Sequence, residues 1–178
     1  QGSGKVVAVG EIGLDYHWPD LAPRERQMQV FAAQLELANQ FDIPVCVHDR
    51  DAHQDTMELL RQYQPKGVVH CFSGSLEMAR DIVDLGMYIG IGGSVTFKNA
   101  RKILDVARGI PLDRIVLETD APYLSPDPYR GKRNDSTNIP LAAAKIAQLR
   151  GIDTKQVMDA SNSNIRRLFM LDKFGFYS

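Results

Sequence analysis

Short apolar runs of strand length alternate with segments of helical period along the whole chain. The run Val6-Val7-Ala8-Val9 leads into Gly10-Glu11-Ile12-Gly13-Leu14-Asp15. A helix opened by Pro23 follows, striped by Met28, Phe31, Leu35 and Ala38, and it stops before Asp42-Ile43-Pro44. Val45-Cys46-Val47-His48 reads as a second strand, with Met57, Leu60 and Tyr63 on the next helix. Val68-Val69-His70-Cys71-Phe72 reads as a third, followed by a helix that Ser75 caps and Gly86 ends. The fourth strand covers residues 87–91 and the fifth residues 114–117, the latter running into Glu118-Thr119-Asp120. A proline-rich polar loop then extends to about Asn138. Two helices close the chain, one from about Ile139 to Arg150, the other capped by Asp153 with Gln156 three residues on and burying Ile165, Leu168 and Phe169.

Strands that are each followed by a helix predict an α/β fold with a parallel sheet covered by helices. An open doubly wound sheet and a closed barrel both satisfy the pattern. Residues 1–171 are expected to form a single domain and residues 172–178 a loose tail.

Composition narrows the function classes only slightly. The chain has 178 residues, 44% of them hydrophobic, and a formal charge of −1, which argues against nucleic-acid binding through bulk positive charge but not against a local site for a strand end. No run approaches the ~20 apolar residues of a membrane helix, and a cytoplasmic protein is expected. Cys46 and Cys71 both lie in apolar runs, where reduced, buried thiols are the expectation, over a disulfide or a metal role.

The candidate chemistry recurs at one structural position. Glu11 is placed at the end of the first strand, His48 at the end of the second, His70 near the end of the third and Asp120 at the end of the fifth. In parallel β/α folds the carboxyl ends of the strands form one face, and that face carries the active site. Two imidazoles and two carboxylates converging there suit a divalent ion such as Zn²⁺ or Mn²⁺, and the chemistry offered is metal-assisted hydrolysis. Each histidine taken alone also fits a hydrogen-bonded core residue. His17 and His53 read as surface residues. Arg50, two residues after His48, suits bidentate phosphate binding or an ion pair with Asp49 or Asp51. Arg130, Lys132 and Arg133 form a basic cluster in the loop leaving the same face, either phosphate-steering or merely solvated. Gly92-Gly93 permits close backbone approach there, or a tight turn.

Gly10-Glu11-Ile12-Gly13-Leu14-Asp15-Tyr16, Pro44-Val45-Cys46-Val47-His48-Asp49-Arg50, His70-Cys71-Phe72-Ser73-Gly74 and Glu118-Thr119-Asp120-Ala121-Pro122-Tyr123-Leu124, taken in order, resemble the signature blocks of the TatD family of metal-dependent deoxyribonucleases. Gly131-Lys132-Arg133-Asn134 and Asn164-Ile165-Arg166-Arg167-Leu168-Phe169 resemble its closing blocks. The resemblance implies a TIM-type (β/α) barrel, one or two divalent ions (Mg²⁺, Mn²⁺ or Zn²⁺) and hydrolysis of DNA phosphodiesters, including 3′–5′ exonuclease action on single strands. It further implies that Glu11 bridges two ions, that His48 and His70 hold one of them, and that Asp120 sits at the other and serves as general base. An amidohydrolase-type metalloenzyme acting on esters or amides would use the same ligand types.

One departure matters. The family opens with a strand ending in His-X-His, whereas the histidines here are at 17, 48, 53 and 70. A TIM barrel needs eight strands and typically ~250 residues. The resemblance therefore implies an N-terminally truncated barrel, with two strands and the His-X-His pair outside this sequence and an eighth, irregular strand inside the loop after Asp120. One ion or none is then expected here, with a second copy of the chain or a complementary N-terminal fragment over the exposed sheet edges, or else a catalytically incomplete metal-binding fragment.

Overall fold

A computed structural model describes residues 6–18, 20 and 22–174 of the chain. Five parallel strands, β1 (Val9–Asp15), β2 (Val45–Arg50), β3 (Gly67–Val69), β4 (Tyr88–Ile91) and β5 (Ile115–Leu117), lie in the spatial order of their sequence. The helices are α1 (Arg24–Gln40), α2 (His53–Tyr63), α3 (Leu76–Asp84), α4 (Arg101–Gly109), α5 (Ile139–Arg150) and α6 (Thr154–Leu168). A doubly wound sheet reverses its strand order at a switch point. This sheet never reverses, so it is an arc of barrel type, and β1 and β5 are its two ends among the described residues.

The period of two along the strands sorts side chains onto two faces. Val45, Val47, Val69, Ile89, Ile91, Ile115 and Leu117 point to the main core, where they meet Phe31, Leu35 and Ala38 of α1 and Ala143 and Ile146 of α5. The opposite face carries a smaller layer, Val68, Tyr88 and Val116 with Cys46 beside them, closed by Leu168, Ile165 and Phe169 of α6. One step further along these same rows, toward the carboxyl ends, stand His48, His70, Gly90 and Glu118. A Cβ on Gly90 would lie 2.9 Å from the His70 Cα and 3.1 Å from the Glu118 Cδ. The missing side chain is what lets those two residues stand side by side.

The helix signals act as the sequence predicts. The Ser75 side chain accepts from the Met78 amide at the start of α3, Gly86 follows it at φ +85°, Gly151 ends α5 in the left-handed conformation, and Asp153 with Gln156 forms a capping box on α6.

Several strand limits differ from the expectation, and β2 runs two residues past His48 to Arg50. β1 begins at Val9, not Val6, and Glu11 lies inside it. Strand β3 ends at Val69, because Cys71 takes φ +44° and breaks the extended run, so His70 stands just past the strand. Asp120, also left-handed at φ +52°, lies three residues beyond β5. The loop after Asp120 holds a short 3₁₀ turn, Ser136–Asn138, and no strand, so the eighth strand expected there does not form. Leu171–Phe174 makes another such turn, with Asp172 paired to Arg166; the rest of the expected tail, residues 175–178, lies outside the described residues. Among the described residues no helix is long and apolar enough to cross a membrane.

Candidate metal centre

Glu11 is the inserted residue of a β-bulge. The β1–β2 ladder pairs Gly10 with Cys46 and Ile12 with Val47, leaving Glu11 without a partner. A bulge re-aims a side chain, and here the carboxylate meets both histidines. Its Oε1 lies 2.7 Å from His48 Nδ1 and 2.9 Å from His70 Nε2, and the two ring nitrogens are 3.4 Å apart. Glu11, His48 and His70 thus present three ligand atoms all within 4.8 Å of one another.

The outer nitrogens of the rings are also engaged. His48 Nε2 lies 3.1 Å from Asp15 Oδ2, and His70 Nδ1 lies 3.7 Å from Glu118 Oε2. Glu118 is fixed in turn by accepting from the Cys71 amide. Imidazoles that bind metals commonly turn the second nitrogen to a carboxylate, which sets the tautomer and makes the ligand more basic. The donor set therefore fits a divalent ion, held by one carboxylate oxygen and two nitrogens with positions left open.

Charge points the same way. Burial alone would depress the His70 pKa, but Glu118 and Glu11 outweigh it and push it up to about 9. Asp120 is raised from the ordinary carboxylate value by burial and by Glu118 and Glu11, against the opposing pull of His70 and His48. The His70 shift reports the negative charge that Glu118 and Glu11 place beside it, which a cation relieves, whereas the Asp120 shift is first of all a burial effect. The thiols are free and half-buried. Burial, reinforced by nearby carboxylates, pushes Cys46 up to about 11 and Cys71 to about 12.

Asp120 and Arg50 line the same open cleft, of about 690 Å³, but stand outside the three-ligand group. The ion pair considered for Arg50 does not form. Asp49, its side chain buried, pairs with the partly buried His53 at 2.7 Å, and Asp51 pairs with the exposed His17 at 2.9 Å. Arg130, Lys132 and Arg133 line an adjoining depression that shares the wall Tyr123–Leu124 with the cleft; the Arg130 guanidinium lies 4.0 Å from the Phe97 ring centre. Close approach explains Gly93, where a Cβ would come within 2.3 Å of the Leu124 carbonyl oxygen. Sequence reasoning gave no role to Asp15, Glu118, Trp18 or Tyr123. The two carboxylates sit inside the motifs quoted above, and the two aromatics carry no periodic signal.

A profile of the family described as TatD related DNase matches residues 2–170. An uncharacterized metal-dependent hydrolase of Bacillus subtilis, YabD, is 42% identical over 94% of this chain and 67% of its own length. The 3′–5′ ssDNA/RNA exonuclease TatD of Klebsiella pneumoniae is 37% identical over 96% of this chain and 68% of its own. Among solved structures, the TatD homologue YJJV of Escherichia coli superposes with a TM-score of 0.86 at 39% identity, covering 92% of this chain and 64% of that one. A TatD family hydrolase of Entamoeba histolytica gives 0.81 at 27% identity. The chain thus spans about two thirds of the length of the relatives it matches.

Proposed function

This chain belongs to the TatD related DNase family, and from that premise we propose that it forms the metal-holding part of a hydrolase that cleaves phosphodiester bonds at the ends of single-stranded DNA. The observation that carries this reading is the convergence of Glu11, His48 and His70, with Asp15 and Glu118 behind the rings. Glu11, His48 and His70 would hold the ion, Mg²⁺, Mn²⁺ or Zn²⁺, and the chemistry it would supply when bound is polarisation of a phosphoryl oxygen and a lowered pKa for water.

The chain's own groups supply the rest. Asp120, raised in pKa and facing the cleft, is a better proton acceptor than a solvent carboxylate and takes the proton from the attacking water. Arg50, free of carboxylate partners among the described residues, offers its guanidinium to a phosphate in the cleft. Arg130, Lys132 and Arg133 border the adjoining depression and steer the phosphate backbone toward it.

Incubation of a 5′-labelled single-stranded oligonucleotide with Mg²⁺ or Mn²⁺, beside a chelator control and a His70→Ala variant, tests the reading. Metal-dependent shortening that the variant loses is expected. No shortening, together with turnover of simple esters or amides, would replace it with the amidohydrolase alternative.

A further inference from the structure

We infer that Trp18 and Tyr123 form an aromatic seat for an unpaired base at the mouth of the cleft, which selects single-stranded ends over duplex. The inference rests on the nucleic-acid reading of the site and adds the element that discriminates between strands.

Trp18 is 55% exposed and Tyr123 71% exposed, yet both line the cleft that holds Glu11, His48 and His70. Trp18 is not a stray surface residue. The Arg50 guanidinium lies 5.5 Å from its ring centre, and His17, itself paired with Asp51, packs edge-on against it at 5.0 Å. The loop that carries it is anchored on both sides by Asp55, buried in α2. The Tyr16 hydroxyl donates to Asp55 at 2.6 Å, and Arg24 makes two bonds to the same carboxylate at 2.6 and 2.7 Å.

Asp15 ties the seat to the metal centre. One carboxylate oxygen accepts from the His17 amide at 2.9 Å, and the other faces His48 Nε2 at 3.1 Å. A base laid on Trp18 is therefore held in register with the ligand set, and its phosphate comes beside Arg50.

Charge supports stacking as the source of affinity. A chain of net charge −1 cannot rely on broad counterion release, whereas stacking on an aromatic face contributes per base regardless of sequence. A base inside a duplex has both faces occupied and cannot use the seat.

Trp18 is the single tryptophan of the sequence, so its fluorescence reports the seat directly. The chain is titrated, with Mg²⁺ and with strand integrity checked on a gel, with a short oligothymidylate and with an abasic oligomer of equal phosphate number. The inference predicts quenching by the oligothymidylate alone. By fluorescein anisotropy, the abasic strand should bind about 10-fold or more weaker, Trp18→Ala should lose that preference and Trp18→Phe should keep it. Equal binding of both strands without quenching would overturn the aromatic seat and leave the nucleic-acid reading in place. Binding of neither would overturn both.

Discussion

Glu11 reaches two imidazole nitrogens with one carboxylate oxygen only because it is the unpaired residue of a bulge, and each imidazole it meets leans on a further carboxylate. The ligands stand at the strand ends, but their orientation is decided one shell out. Replacing Asp15 with Asn keeps the shape and removes the charge that makes His48 a strong donor. The expected result is a 10- to 100-fold weaker divalent-ion affinity, read by competition with a chromophoric chelator, with the far-UV spectrum unchanged. An unchanged affinity would mean that Asp15 serves the loop alone. The residue types of the site were readable from the sequence because histidine is rare here and falls beside strand ends. The bulge, and with it the aim of Glu11, was not readable, because a one-residue insertion leaves no mark in a hydrophobic pattern.

At the scale of elements, the connection between β1 and α1 is fixed by a buried group outside the cleft. Asp55 accepts from Arg24 and Tyr16, and the hydrogen bond from Arg24, then that from Tyr16, holds its carboxyl below the usual range. A depressed folded-state pKa adds stability that is fully present above the unfolded value, about 3.9, and is lost as pH falls through the folded value. Wild type should therefore melt higher than Asp55→Asn at pH 7, and the gap should narrow as the pH is taken below about 4. Thermal unfolding of both proteins across pH 3 to 7 measures it, and a gap that stays constant would show that shape, not charge, is what Asp55 provides. The caps of α3, α5 and α6 were legible, since Ser75, Gly151 and the Asp153–Gln156 pair are local signals. The end of β3 was not, because Cys71 leaves the extended region through a backbone angle that side-chain pattern does not encode.

For the whole molecule, strand order was the property that periodicity left open between a doubly wound sheet and a barrel. The order 1-2-3-4-5 without reversal, and the superposition on TatD homologues, give a barrel-type arc. The arc gathers Glu11 from β1, His48 from β2 and His70 from just past β3 at one edge, with Asp120 across the cleft beyond β5. Three neighbouring strands thus complete one ligand set within this chain. A single strong ion site, independent of Asp120, is accordingly expected here.

The most direct test is the number of divalent ions bound per chain, measured by equilibrium dialysis against Mn²⁺ near neutral pH for wild type and for a His48→Ala/His70→Ala variant whose fold is checked by circular dichroism. A Glu11–His48–His70 ion site predicts about one tightly held ion in the wild type and none in the variant. Equal binding by the two proteins, or none by either, would contradict it.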